Sequence, residues 1–490
     1  MTCDYAGAYR MKQHMRDYLF LYFLFLVTCS VMGSSHVGIN GENIWRQSDV
    51  YAHILGFSGH KGMAPLHDFA GVKTIYDIPI YEYIVARLAQ LVDTDVLIAA
   101  RYVNLVSWIV LAVSGAHIAE RLFAGSRVFF WMLAATSPLF LHYFATPLPD
   151  VMATSLSAAA VALLLDERFN NLRGTLAAVL LLIIAALIKS PVPFAFVVFY
   201  AFTALLNRPS TVDGILSRRN LAVYAISAIA AVSAELIRRQ FLGTNVGGFA
   251  QDPSWYFGTL SMRLSADYWL TILRRLVHDY SHPLLVLFII LATIFFIDKK
   301  GRAGFRQIAP GFIAFAAGWL TFANVFTEHN YYQIPVTALL FISASIVLAH
   351  AVQELEPRVS QLSTRLGGVP LRHAVILFMA AVAPILMIYG YQLSNYRAPN
   401  FFESAKYLLR DSRHLLWVGD EDVGPIPGGM TATPFTRIPA AEFEANCDRL
   451  VAENTAIIVK GESACLDRHR HQATSFINDS RFLIYIRNNP

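Results

Sequence analysis

Residues 18–51 read YLFLYFLFLVTCSVMGSSHVGINGENIWRQSDVY. An apolar run, Tyr18–Met32, gives way to a polar stretch in which Glu42, Trp45, Arg46, Gln47 and Asp49 crowd together. The run falls short of the about 20 residues of an ideal bilayer crossing, and flanking Trp, Tyr and Pro positions extend such runs. Arg10, Lys12 and Arg16 precede it. A retained anchor and a cleaved signal peptide share that form; a retained anchor is the expectation. Charged groups at the edge of an apolar span are costly, so a carboxylate beside a guanidinium there marks a partner or a task.

Ten more apolar runs follow, at Tyr102–Ile118, Val128–Phe144, Val151–Leu165, Leu176–Ile188, Phe194–Leu206, Leu221–Ile237, Leu284–Ile297, Ile313–Val325, Ile334–Ala349 and Val375–Tyr391. Only 15% of the residues are charged, against about 25% in soluble domains, which excludes an ordinary soluble globule. The expected fold class is an α-helical polytopic membrane protein with about 11 transmembrane helices. The net charge of +5 is modest, and no basic run is dense enough for nucleic acid. Lys and Arg gather in alternate loops: Arg121 and Arg127; Arg168 and Arg173; Arg208, Arg218 and Arg219; Lys299, Lys300, Arg302 and Arg306; Arg358, Arg365 and Arg372. That face is expected to be cytoplasmic. Residues 238–282 carry Arg238, Arg239, Arg263, Arg274 and Arg275 on the opposite face, which a long loop tolerates because it translocates regardless of charge.

The chain changes character after Tyr391. HLLWVG (414–419), TAIIVKG (455–461) and FLIYIRN (482–488) are short β-type runs, and FFESAKYLLRD (401–411) has the pattern of an amphipathic helix. Two domains are expected. Residues 1–395 form the membrane part, including an outer loop at 35–100 with amphipathic helices; residues 396–490 form a small soluble α/β domain outside the cytoplasm. Cys447 and Cys465 fall in the latter, and an oxidising compartment favours a disulfide between them over two buried thiols. Cys3 and Cys29 stand apart from that pair.

Four polar stretches converge on the outer face: the one around Asp49; HDFAGVKTIYDIPIYEYI (67–84), with His67, Asp68, Asp77, Tyr81, Glu82 and Tyr83; Lys189 in ALIKSPVP; and EHNYYQIP (328–335), with Glu328, His329, Asn330, Tyr331 and Tyr332. A carboxylate accepts a proton from a hydroxyl. Lys, Arg and His neutralise a phosphate as charge builds on it. Aromatic rings stack on a sugar, and apolar spans form a groove for an isoprenoid chain. Together these parts suit sugar transfer from a polyprenyl-phosphate carrier. Each also has a plainer reading. Asp49 pairs with Arg46 one helical turn away; Asp77 is a turn residue before Pro79; Lys189 snorkels; Tyr331 and Tyr332 belong to an aromatic belt; Asp150 caps a helix. Arg263, Arg274 and Arg275 face either a donor phosphate or lipid headgroups. A divalent metal has potential ligands in His67, Asp68 and Asp77, and His278, Asp279 and His282 are a second such group. Neither spacing is a recognised metal signature, and scattered loop polars are the expectation.

The order of these motifs resembles the GT-C glycosyltransferases, in the branch of the protein O-mannosyltransferases and lipid A aminoarabinose transferases. The match runs through WRQSD with Asp49, Asp77-Ile78-Pro79 followed by Tyr81 and Tyr83, TPLPD with Asp150, Lys189-Ser190-Pro191, and HNYYQIP. It covers most of the chain and includes the outer C-terminal domain. It implies a GT-C fold and an inverting transfer from a polyprenyl-phosphate sugar to a lipid, glycan or protein of the cell envelope. It places the site on the periplasmic side of a bacterial inner membrane, in a monomer, with no nucleotide. On that resemblance Asp49 and Asp77 are catalytic. Lys189, His329, Arg46, Tyr331 and Tyr332 hold the donor phosphate, and Glu42, Trp45, Gln47, Tyr81 and Asn330 bind substrate. Ile78 stands where the aminoarabinose branch has lysine, so sugar and acceptor stay open. A lipid-linked oligosaccharide or O-antigen ligase is the alternative. A secondary transporter is another, although the two related halves such a transporter has are not visible here.

Overall fold

A computed structural model describes residues 4–33, 44–59, 78–207, 217–242, 253–363, 371–395, 415–419, 435–454, 456–460, 462–473, 475–479 and 482–486. Glu42, His67, Asp68, Asp77, Cys3, the 401–411 segment and the side chains of Trp45 and Asp49 lie outside the described residues.

The described residues of the first part are helical, joined by short turns. Its elements are α1 (Asp4–Gly33), α2 (Ile44–Gly59), α3 (Ile80–Leu91), α4 (Val96–Leu122), α5 (Arg127–Thr136), α6 (Pro138–Phe144), α7 (Asp150–Leu165), α8 (Leu172–Ile188), α9 (Val192–Asn207) and α10 (Arg218–Leu242). Then follow α11 (Pro253–Phe257), α12 (Leu260–Leu264), α13 (Ala266–Arg275), a π-helical turn at Leu276–Tyr280, α14 (Pro283–Thr321), α15 (Ala323–Glu328), a 3₁₀ turn at Asn330–Gln333, α16 (Ile334–Ser363) and α17 (Leu371–Asn395). In α1 the buried residues Leu19, Phe23, Val27 and Val31 recur every four positions and face the core, while Leu21 and Phe25 on the other side are exposed. Both faces are apolar. Exposed Ile229 and Val232 of α10, Leu291 and Ile294 of α14, and Phe378 and Ile385 of α17 repeat the pattern. Helices apolar inside and out suit a hydrocarbon surround.

Among the described residues, four helices are long and apolar enough to cross a bilayer alone: Arg16–Gly33, Val96–Leu122, Arg219–Ile237 and Asn330–Pro357. The pair Ala266–Tyr280 and Pro283–Thr321 passes the same length and hydropathy test only when taken together, and it bends by 111° at its break. Other expected runs are shorter or broken. Val128–Phe144 divides at Ser137, whose hydroxyl caps α6 ahead of Pro138. Leu284–Ile297 falls entirely within α14, which is interrupted at Gly301; Ile313–Val325 starts in α14 and continues past Phe322 into α15. Gly301, at φ 54°, occupies the left-handed region open to glycine.

The second half of α14 packs on α16 through small residues. A Cβ on Gly311 would lie 2.2 Å from Ser343 Oγ and 2.5 Å from the Leu339 carbonyl oxygen; one on Gly318 would lie 2.4 Å from Val336 Cγ1. Ser343 donates a hydrogen bond across the interface to the Ile308 carbonyl, 2.7 Å. Small residues that bring backbones together are the usual basis of helix association in lipid.

After residue 414 the described residues form a five-stranded sheet of order β2-β1-β3-β5-β4, with β1 (Leu415–Val418), β2 (Phe435–Ile438), β3 (Ala456–Lys460), β4 (Ser475–Asp479) and β5 (Phe482–Ile486). Strand β1 runs parallel to β2 and β3; β5 runs antiparallel to β3 and β4. Three short helices, Ala440–Ala445, Cys447–Glu453 and Ala464–His469, accompany it, and a Cys447–Cys465 disulfide joins the last two. The three sequence runs expected as strands coincide with β1, β3 and β5.

Gly311→Leu should lower the thermal unfolding midpoint in detergent, because overpacking a tight contact costs about 1–3 kcal/mol. Gly33→Ala, whose Cβ meets nothing within 4 Å, is the control and should leave the midpoint in place. Equal midpoints for both variants would contradict the contact.

Candidate functional site

Several helices end or break at one end of the bundle. The site is built from those ends. Helix α8 stops at Lys189, whose backbone turns to φ −154° before Pro191 and α9. Its amide still bonds to the Ala185 carbonyl, 2.8 Å, so the side chain leaves from the C-terminal end of a helix, where the dipole favours a cation. Lys189 is 3% exposed. Its Nζ lies 4.7 Å from the ring centroid of Tyr332 and 5.7 Å from that of Tyr331. Two aromatic faces stabilise an ammonium removed from water.

Those rings belong to the 3₁₀ turn before α16. Tyr331 and Tyr332 stack with centroids 4.7 Å apart, the His329 ring stacks on Tyr331 at 5.4 Å, and Trp255 of α11 meets His329 edge-on at 5.7 Å. His329 sits outside the spans. Burial first, then the charges of Lys189, Arg46 and Arg275, push its pKa down to about 4. The sign is that of a base surrounded by cations. At neutral pH it is an uncharged imidazole, and three cations from three different elements lie close enough to bear on it. The structure thus brings together Lys189, His329, Arg46, Tyr331 and Tyr332, and adds Arg275.

Arg46 comes from α2, where Arg46, Val50, His53 and Phe57 are buried at helical spacing. Position 49 falls one turn after Arg46 and one turn before His53 on the same helix. Gln47 is also fully buried. Arg275 ends α13. Its Nη1 donates to Asp279 Oδ2 at 2.6 Å, and its Nη2 to the Thr327 carbonyl at 3.4 Å. Arg263 instead donates to the Leu320 and Thr321 carbonyls at the end of α14, and Arg274 is exposed. Of the three arginines weighed for a phosphate role, the fold thus turns one, Arg275, toward His329.

A second wall is made by α3, α4 and the TPLPD turn. Tyr81 donates its hydroxyl to Asn104 Oδ1 at 3.1 Å, Asn104 donates to the Thr146 carbonyl at 2.6 Å, and Arg101 donates to the Ala145 carbonyl at 3.2 Å. These bonds hold the turn that delivers Asp150, which is fully buried as the first residue of α7, with Pro149 at the cap position. Glu82, Arg101 and His142 are buried in the same wall. Tyr81 and Asn330 are engaged with protein partners: Asn330 accepts from the Tyr143 hydroxyl and donates to Asp279 Oδ2 at 3.5 Å. Trp255, Tyr143 and Arg101 have no local sequence signal; their roles come from the packing of distant segments.

A narrow apolar crevice of about 10 Å³, lined by Pro191, Phe194, Phe322, Phe326, Tyr332 and Val336, lies beside the cationic cluster. A separate groove of about 430 Å³ runs between α3, α4 and α7, lined by Ile84, Leu88, Tyr102, Val106, Met152 and Leu156. One group of possible metal ligands occurs among the described residues, Cys447 with Asp448 and His469. The Cys447 sulfur is committed to the disulfide, and Asp448 and His469 pair with each other at 2.8 Å, so the group offers no thiolate. Asp279 serves Arg275, and His282 Nδ1 accepts from the Leu284 amide.

No family model matches the chain, and no curated protein matches it in sequence. Among solved structures, ArnT from Cupriavidus metallidurans bound to undecaprenyl phosphate has a TM-score of 0.64 at 12% identity, over 96% of this chain and 98% of that one. The oligosaccharyltransferase AglB from Archaeoglobus fulgidus, in complex with an inhibitory peptide and a dolichol-phosphate, has 0.56 at 12% identity, over 92% of this chain and 70% of that one. Arabinofuranosyltransferase AftD from Mycobacteria has 0.52 at 12% identity, over 97% and 40%. The likeness is one of fold: this chain shares the architecture of these three transferases.

Tyr332→Phe keeps the ring under Lys189, whereas Tyr332→Leu removes it. The leucine variant should lose about 0.5–2 kcal/mol of stability relative to the phenylalanine variant. Thermal unfolding in detergent reads the difference, and equal midpoints would contradict a cation–π contact at Lys189.

Proposed function

We propose that this protein is an integral-membrane inverting glycosyltransferase that moves a sugar from a polyprenyl-phosphate carrier to an acceptor of the cell envelope. The observation that carries the reading is the cluster of Lys189, Arg46 and Arg275 around His329, with Lys189 over the Tyr331 and Tyr332 rings. A phosphate monoester needs cations for its head, and the narrow apolar crevice beside Tyr332 marks the side on which a prenyl chain would leave. ArnT, which shares the fold, is bound to undecaprenyl phosphate. The donor site faces the periplasm of a bacterial inner membrane in this reading, and the sheet after residue 414 is a domain on that side.

The transfer is a single displacement. The acceptor oxygen forms its bond to the anomeric carbon as the carbon–oxygen bond to phosphate breaks, through an oxocarbenium-like state. The bonding electrons leave on the phosphate oxygen, where Lys189, Arg275 and Arg46 stabilise the growing charge. Asp49 takes the acceptor proton. Asp77 orients sugar or acceptor, and Glu42, Trp45 and Gln47 line the sugar pocket. Tyr331 and Tyr332 hold Lys189 and flank the phosphate. The groove between α3, α4 and α7 shares no helix with the donor crevice and suits an acyl or prenyl chain, which favours a lipid-borne acceptor over a glycan or a protein.

Asp49→Asn should abolish sugar transfer in membranes supplied with a radiolabelled polyprenyl-phosphate sugar while leaving expression intact. Wild-type turnover by that variant would remove Asp49 from the chemistry. Lys189→Ala should raise the donor KM, and unchanged donor kinetics would count against the phosphate role. Label recovered in a chloroform–methanol-soluble product that separates from the donor on chromatography supports a lipid acceptor; label transferred only to protein or glycan overturns that part.

His329 gains charge only as pH falls through about 4. An imidazole that stays neutral in the bound state as well adds no pH dependence of its own to anion affinity over about pH 6–8. His329→Gln should follow the wild-type pH dependence of undecaprenyl phosphate binding across that range. An affinity that climbs on acidification in wild type and not in His329→Gln would show a charged imidazole in the bound state.

A further inference from the structure

Asp279 lies outside the group of side chains given a chemical task above, yet it bonds to both Arg275 and Asn330 of the donor site. It sits in the π-helical turn Leu276–Tyr280, between α13 and α14. Such turns are rare and concentrate at functional sites. This one is fixed from below: Tyr280 donates to Gln333 Oε1 at 2.9 Å, and Trp319 Nε1 donates to the Tyr280 hydroxyl at 3.2 Å. Gln333 in turn donates to the Phe326 carbonyl. The turn is thus tied to the same 3₁₀ segment that carries Tyr331 and Tyr332.

From that position the Asp279 carboxylate reaches two groups at once. It accepts from Arg275 Nη1 at 2.6 Å and from Asn330 Nδ2 at 3.5 Å through the same oxygen, Oδ2. Asn330 accepts from the Tyr143 hydroxyl of α6. A continuous polar path therefore runs from α6 through the 3₁₀ turn and the π turn to the guanidinium at the end of α13. Arg275 and Asp279 are each about four-fifths buried, at 17% and 21% side-chain exposure, so the pair is shielded from the screening that weakens surface ion pairs. Arg275 also donates to the Thr327 carbonyl, two residues before His329.

We propose that Asp279 is a positioning residue of the donor site: it clamps Arg275 to Asn330, so that helix α13 and the His329–Gln333 segment hold one arrangement and the guanidinium meets the donor phosphate already oriented. The inference rests on the polyprenyl-phosphate reading given above. A long flexible arginine loses rotamer freedom when it binds an anion, and a carboxylate that fixes it beforehand removes that cost from the binding step. Charge-assisted pairing gives the direction as well as the strength. Asp279 carries negative charge next to an anion site, so a simple electrostatic account expects its removal to tighten phosphate binding. A clamp expects the reverse. The two differ in sign.

The test uses the full-length protein in nanodiscs and radiolabelled undecaprenyl phosphate as probe. Asp279→Asn should weaken binding about tenfold. Arg275→Ala should weaken it at least as much, and the Arg275→Ala/Asp279→Asn double variant should be no weaker than Arg275→Ala alone, because the clamp acts only through the arginine. A purely structural aspartate would give additive losses and a lowered unfolding midpoint, and that result overturns the proposal. So does unchanged or tighter binding by Asp279→Asn. If Asp279→Asn does not fold, Asp279→Glu keeps the question open: the clamp expects partial retention of affinity with the same non-additivity toward Arg275→Ala, and additive loss overturns it. Wild-type protein that fails to bind undecaprenyl phosphate overturns the donor reading and the clamp together; wild-type binding with an indifferent Asp279→Asn overturns the clamp alone.

Discussion

Three positive charges bearing on one neutral imidazole at the end of an apolar bundle are the constraint on which the site depends. Like charges repel, and cations withdrawn from water are costly. Each is held by a different device. Lys189 sits at a helix C-terminus and over two tyrosine rings. Arg275 is paired with Asp279. Arg46 is carried on the buried face of α2. The imidazole responds by giving up its proton affinity. A phosphate placed among these groups lowers the mutual repulsion of all three cations, which is why the arrangement points to an anionic ligand.

The helices deliver these groups because they are interrupted where the site lies. Ser137–Pro138, the TPLPD turn, Lys189–Pro191, Phe322 and the 3₁₀ turn at Asn330–Gln333 all break regular helix, and the last four lie at the same end of the bundle. Irregular backbone at membrane depth survives where it is buried in protein or lines a polar chamber. The carbonyls freed at the TPLPD turn are taken up by Arg101 and Asn104, and those at the end of α14 by Arg263. Polar side chains in the bundle therefore do two jobs: some face the chamber, and others keep its broken walls in place.

Much of this was legible in the sequence for local reasons. A lone lysine beside prolines at the end of an apolar run, and the block His329-Asn330-Tyr331-Tyr332 before another, stand out against hydrophobic surroundings. Arg46 is legible through its closeness to Asp49. The strands at 415–418, 456–460 and 482–486 and the pairing of Cys447 with Cys465 follow from alternation and compartment. Arg275 and Asp279 were not legible. Within an arginine-rich outer segment, nothing local separates Arg263, which caps carbonyls, from Arg274, which is exposed, and Arg275, which turns inward. Asp279 was grouped with His278 and His282 as a loop polar, because the π turn that aims it at Arg275 depends on Gln333 and Trp319, more than 35 residues away. The helix break at Ser137 escapes hydropathy, which does not register a cap; Gly301 falls in the charged stretch read as a loop between Leu284–Ile297 and Ile313–Val325, most of which is helical.

The most direct test is a cryo-electron microscopy structure of the full-length protein in nanodiscs with undecaprenyl phosphate. The phosphate should lie within hydrogen-bond reach, about 2.7–3.2 Å, of Lys189 Nζ and the Arg275 guanidinium, with the prenyl chain leaving past Tyr332 and Phe322 and the Asp49 carboxylate facing the same chamber. A phosphate bound elsewhere, or an Asp49 carboxylate turned away from Lys189 and His329, would contradict the account.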